Sequence, residues 1–490
     1  MSTMTETTTT TATPKRTKDG TGVIWLLLGA AFATMLNETV MSVALPHLVA
    51  DLDITLSVAQ WTTTAFMLTM AVVIPTTGWV LQRFSTRQVF LFAIIAFTVG
   101  TLIGALAPDF SVLLFARVVQ AVGTAMMMPL LMTTIMNVVP AHERGRFMGR
   151  ITIVMAVAPA LGPALSGFIL SALSWHFLFW TILPVAIIMA VVGALLLKNV
   201  GERSRTPLDV PSLPLAAIGF GGLVYGISTV SGGPDAPVTA GIVALLLGVI
   251  GLALFVWRQI VLQRTERALL DLRTFRSRSF SLATGLIVVM MAAMFGAIIL
   301  LPLYLQNVLQ VDAATTGLLL LPGGLVMGVV APLVGRLFDR YGPRPLVIPG
   351  AITASTVLWA MTLVDEHTPP VIAALALVGV SLGVSFMMTP LMTSALGSLG
   401  PRLYSHGSAI VGTVQQVAGA IGTALFVSVL AIGTAQAAGS GAGDITAQAQ
   451  GVSFAFTVGA ALSLIAVVGS FFVRGPAPAA SAPAGAALAS

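Results

Sequence analysis

The chain has 490 residues, of which 57% are hydrophobic and only 8% charged, with a formal net charge of +6 and a mean hydropathy of +0.99. That balance excludes an ordinary soluble domain. Apolar stretches of about 20 residues, long enough to cross a bilayer as helix, recur almost throughout, so an all-α polytopic membrane protein is expected. There are no cysteines, which excludes disulfides, thiolate metal sites and a cysteine nucleophile.

The first residues, MSTMTETTTTTATPKRTKDG, are polar and threonine-rich. The run after them is longer than a signal-peptide core and lacks a cleavage pattern, so residues 1–21 are expected as a disordered cytoplasmic tail before a retained first span. Counting apolar runs between polar breaks predicts fourteen transmembrane helices. Six of them, at roughly 23–47, 58–81, 88–107, 111–137, 151–173 and 176–197, make an N-terminal bundle within residues 22–200. Two more, at 213–230 and 238–260, belong to an insertion with cytoplasmic linkers over 201–275. The last six, at 279–307, 314–335, 345–364, 371–396, 407–433 and 451–473, make a C-terminal bundle within 276–474, followed by a Pro/Ala-rich tail at 475–490, also expected disordered.

Charge tests that count, because cytoplasmic loops collect Lys and Arg. With the amino terminus inside, every Lys and Arg except Arg117 falls in a cytoplasmic tail, loop or helix end, from Lys15 and Arg16 through Arg83, Arg144 to Arg150 and Lys198 to Arg205 to Arg402 and Arg474. The opposite loops carry Asp51, Asp53, Asp109, Asp235, Asp312, Asp365, Glu366 and Asp444 and no Lys or Arg. Both termini are therefore expected in the cytoplasm. The positive charge follows from topology and inner-leaflet lipid and needs no nucleic-acid partner.

Two stretches repeat. ALPHLVADL followed by GWVLQRFSTR matches LPLYLQNVL followed by GRLFDRYGPR, with Pro46 to Gly78 and Pro302 to Gly335 almost equally spaced. MMMPLLMTTIMNVVP matches MMTPLMTSALGSLGP, with Pro129 to Pro140 and Pro390 to Pro401 equally far apart. Both copies keep one membrane orientation, a parallel duplication of six-helix halves. Alternating access gives such a duplication a purpose, since two similar bundles rock about a site at their shared interface.

In these residues the chain resembles the major facilitator superfamily, and within it the fourteen-span drug:proton antiporters, from about residue 22 to 474. GRLFDRYGPR (Gly335, Asp339, Arg340, Gly342, Arg344) resembles the family's loop motif between the second and third helices of a half. ARVVQAVGTAMMMP resembles its fourth-helix motif through Arg117, Gln120 and Gly123. APALGPALSG resembles the antiporter motif of helix five through Pro159, Gly162, Pro163 and Gly167, and LNETVMSVALP is similar to the acidic first-helix signature of lincomycin-resistance-type exporters. The resemblance implies a major facilitator fold of two six-helix bundles plus two inserted helices. It also implies proton-coupled efflux of hydrophobic or amphipathic drugs across a bacterial plasma membrane. The family typically works as a monomer. The first-half loop departs from the pattern: Gly78 and Arg83 are kept, but Gln82 stands for the family's Asp and Ser85 for a Gly. Asn37 stands where many relatives have Asp, one residue before Glu38, and Ser166 replaces a Gly of the antiporter motif.

Helical geometry orients the first-helix acid. At about 100° per residue, Ala31, Thr34, Glu38, Ser42 and Leu45 share one stripe, while Trp25, Phe32, Leu36, Val40 and Val43 cover the opposite face. Small and polar residues mark helix contacts and cavities, so Glu38 is expected to point inward. Arg117, Gln120, Ala121, Thr124 and Met128 make a comparable stripe on the fourth helix. A carboxylate in hydrocarbon is costly unless paired, hydrated or protonated, and desolvation and a nearby cation act on its protonation in opposite senses. Glu38 and Arg117 are therefore the candidate proton-coupling residues, with a static structural pair as the plain alternative.

Candidate substrate-cavity residues are Asn37, Glu38, Gln60, Phe66, Tyr304, Gln415 and Gln416, the amides being costly in mid-membrane unless bonded. For Gln60, Gln415 and Gln416 the alternative is helix-to-helix bonding. Met126 to Met128, Met290, Met291, Met294, Met387 and Met388 are either an adaptable surface or packing. Gating candidates are Gly78, Arg83, Gly162, Pro163, Gly335, Asp339, Arg340 and Arg344. For Gly162 and Pro163 the alternative is ordinary helix packing, and for the charged loop residues a positive-inside anchor.

No phosphate-binding loop, HExxH or histidine cluster is present, and no enzyme, cofactor or metal site is expected. The expected partners are the drug substrate, protons and lipid. The runner-up reading is a facilitator exporter, or proton symporter, of an endogenous metabolite or siderophore.

Overall fold

A backbone that crosses hydrocarbon must satisfy its own amides and carbonyls, and the described spans of this chain do so as helix. The computed structural model describes residues 18–197, 199, 207–230 and 238–473, and among them there is no strand. The long helices are α1 (Lys18–Asp51), α2 (Trp61–Arg83), α3 (Thr86–Ala105), α4 (Phe110–Val138), α5 (Arg144–Leu170) and α6 (His176–Leu196). After them come α7 (Ser212–Ala216, a π turn over Ala217–Gly221, and Gly222–Val230) and α8 (Val238–Leu262). The last six are α9 (Arg278–Leu303), α10 (Ala313–Tyr341), α11 (Arg344–Ala360), α12 (Pro370–Gly397), α13 (Tyr404–Gly439) and α14 (Asp444–Ser470). Among the described residues thirteen helices are long and apolar enough to cross a membrane, and α7 is the shorter one.

Of the expected tails, residues 1–17 and 475–490 lie outside the described residues, as do Lys198, Arg203, Arg205 and Arg474. Lys18 to Thr21 instead open α1.

Local chemistry sets several helix starts. Asp109 caps α4 by accepting from Val112 N at 3.0 Å, and Asp312 caps α10 by accepting from Thr315 N at 2.9 Å. Two acids of the loops without Lys or Arg are thus helix caps. Ser85 opens α3 with a capping box: its hydroxyl accepts from Gln88 N while Gln88 Oε1 accepts from Ser85 N. The corresponding residue in the second half, Gly342, has φ +78° and ends α10 by donating from its N–H to Phe338 O. A left-handed turn favours glycine, so the two loops make the same corner by different chemistry.

The duplication is visible in packing. In the first six helices α1 packs on α4, α5 and α6, α2 on α4, and α3 on α4 and α6. In the last six α9 packs on α12, α13 and α14, α10 on α12, and α11 on α12 and α14, the same pattern shifted by eight helices. The two bundles meet along two seams, α5 against α10 with α12, and α13 against α2 with α4. The inserted α7 and α8 form a hairpin zipped by glycine. A Cβ on Gly222 would stand 2.8 Å from Ala244 O, and one on Gly226 2.7 Å from Leu245 N. The hairpin lies beside the second seam, with α7 against α2 and α13 and Tyr225 stacked on Trp61 at 5.8 Å.

One part of the face expected for α1 is corrected. Trp25 is 55% exposed and Ala31 and Thr34 are buried, as the helical stripe requires, but Val40 is buried with Trp175 and Phe179. Helix α6 closes over that side of the first bundle. The side chains of Ser42 and Val43 lie outside the described residues.

Helices α3 and α4 cross at Gly123, where a Cβ would run into Ala93 O and stand 2.8 Å from Phe97 N. Gly123→Val is expected to lower stability in detergent by about 1–3 kcal/mol through overpacking. Gly285→Ala, at a helix-interior glycine with nothing within 4 Å, should keep it or raise it by up to about 1 kcal/mol. Thermal unfolding of the two purified variants checks this.

Candidate functional site

The site is built around a cation removed from the surface. Arg117, on α4, is fully buried. Its Nε donates to Thr62 O at 3.4 Å, its Nη1 donates to Gln120 Oε1 at 2.9 Å, and its guanidinium lies 4.1 Å from the centre of the Phe66 ring. Gln120 is fixed in turn by donating to Thr101 Oγ1 at 2.8 Å, and Thr101 donates to Phe97 O. Three helices, α2, α3 and α4, therefore orient one guanidinium. Its Nη2 is buried with no hydrogen-bond partner.

Glu38, half-buried on α1, faces this cation closely enough for the two charges to act on each other. The geometry is an unfinished ion pair, a buried donor and an acid on the neighbouring helix. Asn37, one residue earlier, is buried, and its Nδ2 also lacks a partner. The next residue, Thr39, packs on the Gly-Pro segment of α5. A Cβ at Gly162 would run into the Thr39 side chain, whose hydroxyl donates to Leu36 O at 3.1 Å. Pro159 and Pro163 both lie inside α5, so α1 and α5 touch where α5 lacks two of its own amide donors.

From this site a path of contacts leads to the other bundle. Phe66 and Met70 lie one turn apart on α2, and Gln416 Nε2 on α13 reaches Met70 Sδ at 3.7 Å. Gln415 Nε2 is buried without a partner.

Two cavity candidates are corrected. Gln60 is exposed and sits at the N-cap of the helix that begins at Trp61, so it is a helix-end amide and not a mid-membrane one. Tyr304 is fully buried and donates its hydroxyl to Asp365 O at 2.6 Å, which ties α9 to the loop after α11. Phe66 is also enclosed, as the shelf under Arg117. Most of the methionines are packed: Met126, Met127, Met290, Met291, Met387 and Met388 are buried. Met290, Met294 and Met387 line a small apolar cavity inside the second bundle, with Leu358, Val384 and Ser463.

The gating candidates divide. Asp339 crosses between bundles, its carboxylate oxygens accepting from Gly145 N and Arg146 N at 2.8 Å each, at the start of α5. A carboxylate on the first amides of a helix is a favourable charge-assisted contact. Gly335 makes room for it, because a Cβ there would run into Gly145 O. Arg344 does not cross: it donates to Phe471 O at 2.7 Å, the carbonyl end of α14 in its own bundle. Arg87, its counterpart, donates to Ala194 O at the end of α6. Arg340 lies over Tyr341 at 5.3 Å, and Arg83 is exposed. The long basic side chains find carbonyls, rings or solvent within their own bundle, whereas the short carboxylate reaches across the seam.

Gly78 abuts His406 of α13, and Gln82 Nε2 donates to Arg402 O at 2.9 Å. Sequence reasoning missed two hydroxyl pairs, Thr133 with Ser408 at 2.7 Å and Thr152 with Thr389 at 2.8 Å. Their signal was a small polar residue on the basic side of each seam helix. The hydrogen bonds between bundles named here lie between the basic end and mid-helix, so the structure is closed at the basic end.

Comparison with known proteins agrees with this architecture. Residues 27–423 match the Major Facilitator Superfamily profile. The chain belongs to the major facilitator superfamily. It is 41% identical over 456 residues to the uncharacterised MFS-type transporter YcnB of Bacillus subtilis (strain 168), covering 93% of this chain and 95% of that protein. It is 39% identical to the lincomycin resistance protein LmrB of the same organism, covering 91% and 94%. Among solved structures, the human organic anion transporter MFSD10 superposes with a TM-score of 0.66 over 93% of this chain and 99% of that one, at 15% identity, which shows a shared fold. This major facilitator protein is therefore a multi-pass membrane protein of a transporter family.

Gln120 is the only side chain that accepts from Arg117 among the described residues. Gln120→Leu is expected to lower stability by roughly 1–3 kcal/mol, since it leaves a charged donor short in a dry site. Gln120→Glu should retain more of it, read by thermal unfolding of both variants.

Proposed function

We propose that this protein is a drug:proton antiporter of the fourteen-span type, which exports hydrophobic or amphipathic compounds across the bacterial plasma membrane by alternating access. The observation that carries this reading is the unfinished pair. Arg117 is buried with a free Nη2, and the acid on the adjoining helix is not bonded to it. An ionised group in hydrocarbon is costly unless compensated, so the protonation of Glu38 responds to whatever water, substrate or cation its surroundings admit. The lincomycin and other drug-resistance names of relatives support the substrate class.

In the proposed cycle the inward-open protein, with Glu38 deprotonated, admits a drug between the bundles. Rocking about the two seams then exposes the drug to the outside, protonation of Glu38 accompanies its release, and the protonated carrier returns. Each charge moved through about 100 mV supplies about 2.3 kcal/mol, enough for accumulation without nucleotide. Closure at the basic end fits the outward-facing stage, with both termini on the cytoplasmic side. In the same reading Gln415, Gln416 and Asn37 offer amides to substrate polar groups, and Gly162 with Pro163 serves as a close-packed flexing point between α1 and α5.

The direction of coupling separates this reading from symport, because an imposed pH gradient drives accumulation in opposite senses for the two. Glu38→Gln should retain membrane expression and lose gradient-driven transport in everted vesicles; full gradient-driven activity would remove Glu38 from the mechanism. Asp339→Asn should slow turnover with substrate affinity little altered, since the latch contributes to one gate and touches no substrate; a large affinity loss at unchanged rate would contradict the assignment.

A further inference from the structure

The two seams are closed by unequal means. At the α5·α10 seam a carboxylate, Asp339, accepts from two amides of α5, and Gly335 faces Gly145 with backbone against backbone. By the sequence repeat, the corresponding residues at the α2·α13 seam are Gln82, Gly78 and His406. There a neutral amide makes one bond, to Arg402 O, and a buried histidine takes the place of a glycine.

The second seam contains something the first lacks. The chain leaves the inserted hairpin through Glu266, which adopts a left-handed φ of +54°, and turns inward. Ala268, Leu269, Leu270 and Asp271 are only 8%, 0%, 4% and 4% exposed. Connecting segments ordinarily run over the surface, and this one is enclosed. Leu269 O would stand 3.3 Å from a Cβ on Gly78, and His406 Nδ1 2.8 Å from the same point, so α2, α13 and the linker converge on one glycine.

The hairpin holds the linker there. Leu270 N donates to Gln259 Oε1 at 3.1 Å, and Gln259 Nε2 donates to Ser212 Oγ at 2.8 Å. Ser212 in turn donates to Asp209 Oδ2, and Arg258 holds Asp209 through two bonds of 2.7 Å. Farther along, Ser277 pairs with Ser398 at the end of α12.

We propose that the segment Ala268–Asp271 is a wedge that locks the α2·α13 seam at the basic end, seated by the inserted hairpin through Gln259, and that it leaves this seat when the gate opens. The wedge replaces the charged latch that Gln82 does not provide. This rests on the alternating-access reading above, because a wedge has work only where the seam opens.

The absence of native cysteine makes single-thiol reporters clean. Ala268→Cys reports the wedge and Thr152→Cys the opposite seam, each labelled with a membrane-impermeant maleimide in everted vesicles. With the latch intact both thiols should react slowly. Asp339→Asn should speed both several-fold. Gln259→Leu should speed Ala268→Cys by roughly fivefold or more, the effect of stranding a buried amide, and Gln259→Glu, which keeps an acceptor for Leu270 N, should not. If Asp339→Asn speeds Thr152→Cys and leaves Ala268→Cys unchanged, the linker is fixed packing and the wedge is wrong. Fast labelling of Ala268→Cys with the latch intact overturns it too. If neither thiol responds, the opening of the basic end is wrong and the wedge falls with it. The Asp339→Asn comparison stands whether or not Gln259→Leu folds.

Discussion

The first bundle is organised around a single enclosed guanidinium. A charge removed from water is tolerated only with compensating contacts, and the sequence supplies them from separate helices: Thr62 and Phe66 from α2, Gln120 from α4, Thr101 behind it from α3, and Glu38 across from α1. Gly123 and Gly100 let α3 and α4 approach closely enough for Gln120 to reach Thr101, with a Cβ at Gly100 only 2.7 Å from Gln120 N. Helix packing and charge placement are thus one problem. The compensation is incomplete at Nη2, and that incompleteness leaves a role for the acid on α1.

Around this centre the seams give the molecule two kinds of joint. Along α5·α10, Gly149 faces Ala331 and Gly324 faces Ala160, each with room for no side chain in between. Such surfaces hold position by shape and part without stranding polar groups. The few polar contacts across the seams, Asp339 to two amides, Gln82 to Arg402 O and two hydroxyl pairs, lie toward the basic end, with Gln416 to Met70 farther in. Closure there therefore depends on a small number of directional bonds added to a smooth contact.

Much of this was legible in the sequence, and the rest failed for identifiable reasons. Hydropathy counts helices well because it measures the thickness of hydrocarbon each must cross, but it says little about where they stop. The span expected at 407–433 continues as helix to Gly439 through GTAQAAG, whose alanines favour helix outside the apolar run as well as within it. An error of three residues at the start of α2 turned Gln60 from a helix-end amide into an expected cavity residue. Tyr304 and Arg344 were misplaced for another reason: their partners, Asp365 O and Phe471 O, are backbone carbonyls far along the chain, and a carbonyl leaves no trace in a sequence pattern. Asp339 was legible because a lone acid among arginines on the basic side needs donors, and a helix start supplies them. The buried linker at Leu269 and Leu270 was not, because two leucines in a charged loop read equally well as a stub of helix.

The repeat also explains why the charged site occurs once. Carrying the offset between Pro46 and Pro302 back to Glu38 leads to Met294, and carrying that between Pro129 and Pro390 back to Arg117 leads to Val378. The second bundle thus has the same helices in the same packing pattern with the acid and the cation each replaced by an apolar residue, and Met294 lines its small apolar cavity beside Met290 and Met387. A duplicated fold with a charge in each half would double the cost of keeping ions in hydrocarbon. Concentrating the charge in one half leaves the other free to offer deformable, unbranched side chains. The two halves share a packing pattern, and the break in symmetry places the buried charge in one and an apolar cavity in the other.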